Sequence, residues 1–155
     1  IGEIRDLETA QIAVQASLTG HLVLATLHTN DSAAAVTRLL DMGIEPFLLS
    51  SSLLGVMAQR LVRKLCVHCK VPDGQFYKAV GCDKCGNTGY HGRVGVYELL
   101  QTNDQIRAQI HNRASEADIR NAAQQAGMKT MREDGERFLR DGTTTQAELL
   151  RVTKD

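Results

Sequence analysis

The sequence contains no tryptophan, and only three tyrosines and three phenylalanines occur among its 155 residues. Its core must therefore be packed from aliphatic and small side chains. It also has no excess of either charge, with 18 basic and 18 acidic residues. The lack of an overall positive field and the small number of aromatic rings for bases to stack on both disfavour a nucleic-acid binder.

Long apolar runs are missing as well. A membrane-spanning helix needs about 20 consecutive apolar residues. The longest candidate, Ile44 to Ala58, is interrupted by Glu45, Pro46 and three serines. This segment predicts a buried helix, so we expect no direct insertion into a membrane. The remaining composition, 43% hydrophobic and 23% charged, is typical of a globular protein with one ordinary domain or two small ones.

The first thirty residues predict a helix followed by a strand. Leu7, Ala10 and Val14 have the spacing of a helix face within the segment Leu7 to Ser17. The segment His21 to Leu27 has the composition of a buried strand. A further strand before this helix would complete the strand, helix, strand unit of a parallel sheet, so the predicted fold class is α/β.

Glu3 and His28 would then lie at the carboxyl ends of neighbouring strands, where open α/β sheets bind their ligands. A carboxylate facing a histidine in that crevice could polarise water or sense a phosphate. The alternative interpretation is a solvated surface glutamate and an ordinary hydrogen-bonded histidine.

Two helices are predicted to follow. Asn30 or Asp31 can cap the first, and Gly43 ends it. Pro46 suits the first turn of the second helix, which is predicted to continue through Leu61 and to be mostly buried.

Four cysteines form two Cys-x-x-Cys pairs, Cys66 with Cys69 and Cys82 with Cys85, separated by 12 residues. Four thiolates at this spacing can converge on one tetrahedral ion, and we predict structural zinc, with iron as the competing metal. Gly86 is expected to let backbone amides approach sulfur. The alternatives are disulfides, which would require an oxidising compartment, and a redox dithiol, which needs one pair at a helix start. Because four thiolates fill the tetrahedron, hydrolytic zinc catalysis is not expected.

After about Gly95 the sequence is predicted to be helical again. Asn103 opens one helix, and Ser115 with Asp118 resembles a capping box, before Gly127 ends a second helix. Two shorter helices are predicted further on, Met131 to Arg140 and Thr145 to Val152.

Two segments carry a more specific signal, Gly-Glu-Ile-Arg-Asp-Leu-Glu-Thr-Ala near the start and Thr-Gly-His-Leu-Val-Leu-Ala-Thr-Leu-His-Thr-Asn-Asp after it. They resemble the Walker B and histidine-box segments of the type II secretion ATPases, to which the type IV pilus assembly ATPases are related. The resemblance covers the whole chain, including the four cysteines and the closing Arg-Val-Thr-Lys-Asp, which favours secretion over pilus assembly. It implies three parts: the C-terminal half of a RecA-like P-loop ATPase domain (residues 1–64), a tetracysteine zinc-binding subdomain (65–95) and a C-terminal helical subdomain (96–155).

The resemblance also implies roles for individual residues. Glu3 matches the Walker B acid that helps to position magnesium and water, and the histidine box runs from His21 to His28. His28 is the better candidate for sensing the γ-phosphate, with His21 as a nucleotide-binding residue. Arg93, between Gly92 and Gly95, matches an arginine that approaches nucleotide in related motors. Its alternative role is a surface arginine that closes the zinc loop.

The chain departs from this family pattern in two respects. It contains no G-x-x-x-x-G-K-[ST] motif, the loop whose amides and lysine hold phosphates, and its two cysteine pairs are closer together than in most members. We therefore expect the carboxyl-terminal part of a motor with half of its active site, which alone neither binds ATP tightly nor hydrolyses it.

For the intact protein the resemblance implies a magnesium-dependent, homo-hexameric ATPase that drives pseudopilus assembly and protein export. Such a motor would be cytoplasmic and peripheral to the inner membrane through inner-membrane secretion-system proteins. An alternative is a zinc-stabilised interaction module that docks a membrane-anchored partner without activity of its own. A zinc-ribbon binder of nucleic acid is disfavoured by the zero net charge.

Overall fold

The computed structural model describes residues 1–154 as a mixture of helices and strands. The helices in this range are α1 (Leu7–Leu18), α2 (Ser32–Asp41), α3 (Pro46–Ser52), α4 (Asp104–His111), α5 (Glu116–Gln125), α6 (Met131–Arg140) and α7 (Gln146–Val152). The strands are β1 (Gly55–Leu65), β2 (Val71–Asp73), β3 (Phe76–Lys78) and β4 (Tyr90–Gln101), and a 3₁₀ turn covers Asp83–Cys85. Across residues 1–154, no helix is both long enough and apolar enough to cross a membrane.

The chain divides into two compact units, each built from two separate stretches of sequence. The first unit contains Ile1–Ala58 and Leu99–Met128, and the second contains Gln59–Glu98 and the chain from Lys129 onward. These units cut across the three continuous segments expected from the sequence. The division into ATPase, zinc-binding and helical parts therefore remains a proposal about function.

The first unit is held together by one apolar cluster. Its buried members come from α1, α2, α4 and α5, from α3 and the turn before it, and from the end of β4: Ala10, Val14, Ala33, Val36, Leu40, Ile44, Leu49, Leu100, Ile106, Ile110, Ile119, Ala122 and Ala123. Aliphatic and alanine side chains fill this core, as the scarcity of aromatic residues predicts.

Most helices begin where the sequence predicted a cap. The side chains of Asp31, Asn103 and Ser115 accept hydrogen bonds from the first-turn amides of α2, α4 and α5. Gly43 and Gly127 follow α2 and α5 with φ values of 103° and 100°, a region that favours glycine. The predicted bounds of α6 are confirmed, and Thr145 caps α7.

The predicted helix from Pro46 to Leu61 is wrong beyond Ser52, where α3 ends and strand β1 soon begins. Side chains of the three serines at its end donate to carbonyl oxygens of the preceding turn, a pattern that competes with helix propagation. Pairing with β4 then decides the conformation. At Gly55 a Cβ atom would lie 2.8 Å from the carbonyl oxygen of Leu100, so only glycine fits this close approach.

Strand β4 was not predicted, since the sequence after Gly95 was expected to be helical. Its residues Val96, Glu98 and Leu100 are buried while Tyr97 and Leu99 between them are exposed, which is the alternation of a strand. Because Glu98 is charged although it is buried, the sequence of this segment does not show the alternation of apolar and polar residues that is typical of a strand. β1 and β4 form one two-stranded sheet, and β2 and β3 form a short antiparallel hairpin.

The segment His21 to Leu27 is not the buried strand that was predicted. Leu22 and Leu24 are each 76% exposed, and the segment belongs to no assigned strand. A parallel strand is buried only when other elements cover both of its faces. The amino group of Ile1 donates a hydrogen bond to the Leu24 carbonyl oxygen, and the amide of Ile4 donates one to the Thr26 carbonyl oxygen.

Candidate active site and metal centre

Glu3 lies between two basic side chains in the first unit. Arg5 Nε donates a hydrogen bond of 2.7 Å to Glu3 Oε2, and His28 Nε2 lies 3.0 Å from Glu3 Oε1. The Glu3 side chain is 19% exposed, whereas that of His28 is 91% exposed. The structure thus brings the two predicted catalytic residues into direct contact.

This contact follows from how the chain start lies along the histidine segment. The amide of Ile4 donates to the carbonyl oxygen of Thr26 at 2.9 Å, and the Thr26 hydroxyl donates to the carbonyl oxygen of Gly2. These bonds bracket Glu3 on both sides along the backbone. Because side chains alternate along an extended segment, Glu3 and Arg5 lie on the same side of it.

The surroundings of Glu3 keep it ionised. The hydrogen bond from Arg5 holds the pKa of the Glu3 carboxyl below its ordinary value, and the nearby His28 acts in the same direction. An ionised carboxylate accepts hydrogen bonds but has no proton to give. The group is therefore suited to orient water or to face a cation, and unsuited to act as a general acid at neutral pH.

The two predicted nucleotide-binding residues, His21 and Arg93, belong to different units of the chain. His21 Nδ1 is 3.2 Å from the Ala16 carbonyl oxygen and 3.2 Å from the Thr19 hydroxyl, so it contacts the end of α1. Arg93 is an exposed residue of β4 in the second unit, and within residues 1–154 its side chain makes no hydrogen bond or ion pair. Asp6, within the Walker B-like segment, caps α1 by accepting from the Thr9 amide at 2.8 Å.

Sequence reasoning did not single out two arginines beside this site. Arg5 could have been found, because the spacing of two residues from Glu3 places both on one side of an extended segment. Arg120 could not, because it reaches Asp31 across 89 positions of sequence. Only the folded chain brings that pair together.

The four cysteine sulfur atoms lie within 4.8 Å of one another in the second unit. Cys66 and Cys82 sulfurs are 3.9 Å apart, and Cys85 sulfur is 3.8 Å from the sulfurs of both Cys69 and Cys82. Four ligands at a zinc–sulfur distance of about 2.3 Å in a tetrahedron would be separated by about 3.8 Å. The donor set and its spacing therefore fit a tetrahedral metal ion.

This geometry does not fit the disulfide alternative. A disulfide joins two sulfurs at about 2.05 Å, whereas all four cysteines here are free. Cys66 and Cys85 are buried, so the cluster is partly shielded from solvent. Four thiols converging on one point also differ from the single pair of a redox dithiol.

Backbone amides prepare one thiol of the cluster for ionisation. Burial opposes a charge at Cys85, but hydrogen bonds from the amides of Cys82 and Gly89 outweigh it and lower the pKa of this thiol to about 6. Burial raises the pKa of Cys69 to about 11. A metal ion would supply the positive charge that the remaining thiolates need.

The glycine whose amide approaches the Cys85 sulfur is Gly89, whereas Gly86 was expected to allow such an approach. Gly89 has a φ of 76°, and a Cβ atom there would lie 2.6 Å from the Cβ of Ala79. Its amide donates to the Cys85 sulfur at 3.2 Å. Gly86 also has a positive φ, 59°, and ends the 3₁₀ turn.

A buried carboxylate, which sequence reasoning missed, lies in the same unit. Glu148 of α7 is almost fully buried and accepts hydrogen bonds from the Arg63 amide and from the Arg63 and Arg151 guanidinium groups, at 2.8 to 3.0 Å. Burial opposes its charge, but these donors lower the pKa of Glu148 to about 2. Arg63 also stacks over the ring of Tyr90, at 4.2 Å from its centre. This network ties α7 to β1, the strand that leads into Cys66.

The family model described as "Type II/IV secretion system protein" matches residues 1–151. Among curated proteins, the type II secretion system protein HxcR of Pseudomonas aeruginosa is 65% identical over 155 residues, covering 100% of this chain and 33% of that protein. The type IV pilus assembly ATPase PilB of Thermus thermophilus is 49% identical over 172 aligned positions, covering 99% of this chain and 19% of that protein.

The chain thus spans about a third of HxcR and less of PilB. Among solved structures, that of the pilus retraction motor PilT with bound ADP matches with a TM-score of 0.70 and 29% identity, covering 99% of this chain and 38% of that one. The predicted fold class, an α/β chain corresponding to the C-terminal part of such an ATPase domain, is confirmed. A family match over nearly the whole chain, supported by fold and by close relatives, shows that this chain belongs to the type II/IV secretion system protein family.

Proposed function

We propose that this chain is the C-terminal part of a cytoplasmic ATPase that hydrolyses ATP to power pseudopilus assembly and protein export by type II secretion. The observation that carries the proposal is the contact between Glu3 and His28, whose facing atoms are 3.0 Å apart. The choice of secretion over pilus assembly is supported by 65% identity to HxcR, against 49% to PilB.

In this proposal Glu3 is the water-positioning and magnesium-side acid, and His28 faces the γ-phosphate of ATP. Glu3 Oε1 can accept a hydrogen bond from the attacking water. Because His28 Nε2 already faces Glu3 Oε1, the ring can donate toward an anionic oxygen only through Nδ1, when that nitrogen carries a proton. Magnesium would neutralise charge that develops on the phosphates. His21 and Arg93 are proposed as additional residues that bind the nucleotide.

Replacing Glu3 in the full-length ATPase tests this assignment. Glu3→Gln keeps the shape of the side chain and removes its charge, so ATP should still bind while turnover falls to background. Arg93→Ala should slow turnover less, because it removes a charge near phosphate without removing the water-orienting group. A phosphate-release assay and nucleotide binding measured on the same proteins separate the two effects. Wild-type hydrolysis by Glu3→Gln would refute the proposal.

The 155-residue chain by itself is proposed to be inactive. ATP phosphates are normally held by a row of loop amides and a lysine, and the sequence has no motif that supplies them. Calorimetric titration of the chain with magnesium-ATP should therefore show no binding at micromolar concentration. A micromolar affinity would mean that other residues, Arg93 first among them, form a nucleotide site of their own.

The cysteine cluster is proposed to hold structural zinc. Four sulfurs at the spacing of a tetrahedral site leave no coordination position for substrate, so the ion would act on folding and not on catalysis. The short segment between the two pairs is proposed to be native. HxcR aligns over 155 positions that cover this whole chain, so it has no additional residues within the match.

The intact protein is proposed to form a homo-hexamer and to associate with the inner membrane through membrane-anchored secretion-system proteins. Arg93 supports an intermolecular role, because its side chain is exposed and has no ionic partner within residues 1–154. The size of the full-length protein with and without nucleotide, measured by light scattering, tests the hexamer.

A second candidate function is docking of a membrane-anchored partner by the tetracysteine region. Two apolar side chains next to the cysteines favour it, because Val67 is 75% exposed and Val80 is 59% exposed. Val67→Asp should then reduce sedimentation of the full-length protein with inner membranes that carry the secretion machinery. Ile12→Asp, which changes an exposed apolar residue in the other unit, is the matched control. Equal sedimentation of both variants would exclude this role for Val67.

A further inference from the structure

Asp31, the residue that closes the histidine segment, makes two different contacts through its two carboxylate oxygens. Oδ1 accepts from the Ala34 amide at 2.8 Å and so caps α2. Oδ2 accepts from Arg120 Nη2 at 2.5 Å. The Asp31 side chain is only 15% exposed, so this ion pair is better shielded from water than most surface pairs.

Arg120 is held on a rigid support. It belongs to α5, whose residues Ile119, Ala122 and Ala123 are buried in the apolar cluster of the first unit. Glu116, one turn earlier on the same helix, accepts from the same Arg120 nitrogen at 2.6 Å. The guanidinium is therefore fixed both by its own helix and by Asp31.

A second contact joins the same two parts of the first unit. Ser32, the first residue of α2, is fully buried, and its hydroxyl lies 3.6 Å from the sulfur of Met128, which follows α5. The start of α2 thus contacts the α5 region at two adjacent residues. Little freedom remains for the backbone at Asp31.

His28 itself has no such support from packing, because its side chain is 91% exposed. It lies three residues before Asp31, and the hydroxyl of Thr29 between them donates to the Asp31 carbonyl oxygen at 3.2 Å. Its position opposite Glu3 therefore depends on where the two ends of its segment are anchored. One anchor is the pair of hydrogen bonds near Thr26, and the other is Asp31 with Arg120.

We propose that Arg120 is a positioning residue of the ATPase site, which acts through Asp31 to hold His28 opposite Glu3. This inference rests on the proposed function, since it assigns His28 a role in ATP hydrolysis. It implies that α5, whose Arg120 lies 89 positions after Asp31 in sequence, sets the geometry of the candidate catalytic pair. Displacing a catalytic group by about 1 Å can lower a rate by up to about 100-fold.

Arg120 is a cleaner probe than Asp31, because changing Asp31 also removes the cap of α2. Arg120→Ala removes the anchor, and Arg120→Lys keeps the charge but loses the planar guanidinium whose Nη2 donates to both carboxylates. Two controls are available in the same unit. Glu116→Ala removes the other partner of Arg120, and Arg107→Ala removes an exposed ion pair with Asp104 on α4.

The first measurement needs no enzymatic activity. NMR signals of the His28 ring are recorded in this chain for the wild type and the four variants. Arg120→Ala should shift these signals, Arg120→Lys should shift them less, and both controls should leave them in place. If Arg120→Ala folds and the His28 signals are unchanged, the positioning role is refuted. If Arg120→Ala does not fold, Arg120→Lys is compared with Arg107→Ala. A shift of the His28 signals in Arg120→Lys alone supports the positioning role, and unchanged signals in both variants refute it.

The second measurement uses the full-length ATPase. Arg120→Ala should lower kcat about tenfold with little change in KM, because nucleotide is held by other groups. In a His28→Ala background the same change should have no further effect on kcat, since the group that it positions is gone. If the two effects multiply, Arg120 stabilises the fold generally and the inference is wrong. The proposed function is tested separately, because it fails if Glu3→Gln hydrolyses ATP at the wild-type rate. In that case the NMR comparison still shows whether Arg120 holds the His28 ring in place.

Discussion

The two units of the chain are stabilised by different kinds of interaction. The first buries its apolar side chains in one cluster drawn from five helices and the end of β4. The second buries fewer large apolar residues and more polar groups, including Glu98, Thr144, Thr145 and Glu148. It also contains the four converging cysteines.

This difference explains how the candidate catalytic pair can remain outside the apolar core, with His28 exposed. Because the apolar cluster stabilises the first unit, Glu3 and His28 need not contribute to its folding and are free to face a ligand. In the second unit the polar and sulfur groups are the stabilising elements themselves. Loss of one such group should therefore affect the fold of that unit before it affects chemistry.

Removal of the metal should have the largest effect, and it should be confined to the second unit. The purified chain is expected to hold one zinc per molecule, and structural zinc sites contribute about 10–16 kcal/mol of apparent binding free energy to folding. Chelation, or Cys82→Ser, should abolish hydrogen-exchange protection from about Leu65 to Gly95 while α1, α2 and α5 stay protected. Elemental analysis of reduced, unchelated protein gives the metal content. Metal-free protein with full protection in this region would contradict the prediction.

Loss of core volume should have the next largest effect, and only in the first unit. Ile110 is fully buried in the apolar cluster, so Ile110→Ala should lower the free energy of unfolding of this unit by about 4 kcal/mol. Ile12→Ala on the exposed side of α1 is the matched control and should cost less than about 1 kcal/mol. Chemical denaturation monitored by hydrogen exchange shows in which unit the free energy of unfolding has fallen. A fall in zinc affinity in Ile110→Ala would mean that the two units do not behave independently.

Acid should weaken the second unit through Glu148. Its pKa is lowered from an ordinary value of 4.5 to about 2, so the ionised form stabilises the folded state above pH 4.5 and this contribution is lost as the pH falls toward 2. The expected loss is about 3 kcal/mol. Glu148→Gln should remove this acid dependence and lower stability at neutral pH, because two arginines lose their charged partner. Glu136→Gln, in an exposed pair with Arg140, should leave the acid dependence unchanged. The prediction is wrong if the free energy of unfolding depends on pH in the same way in both variants.

Local sequence signals predicted several elements correctly for identifiable reasons. Caps at Asp31, Asn103 and Ser115 depend on a side chain and amides within the same turn, so they can be found without knowledge of the fold. The spacing of the cysteines likewise predicted convergence, which the sulfur distances confirm. Where the conformation depended on distant partners the predictions were wrong, as with β1, whose Gly55 packs against Leu100.

The sequence alone determined the residue types of the candidate site, the two cysteine pairs and the side-chain caps of several helices, because each is encoded within a few consecutive positions. The tertiary structure decided which charges meet. The contact between Glu3 and His28, the pair of Asp31 with Arg120 and the burial of Glu148 between Arg63 and Arg151 each join separate segments of the chain. Such contacts depend on backbone placement by packing and by strand pairing, and no local pattern specifies that placement.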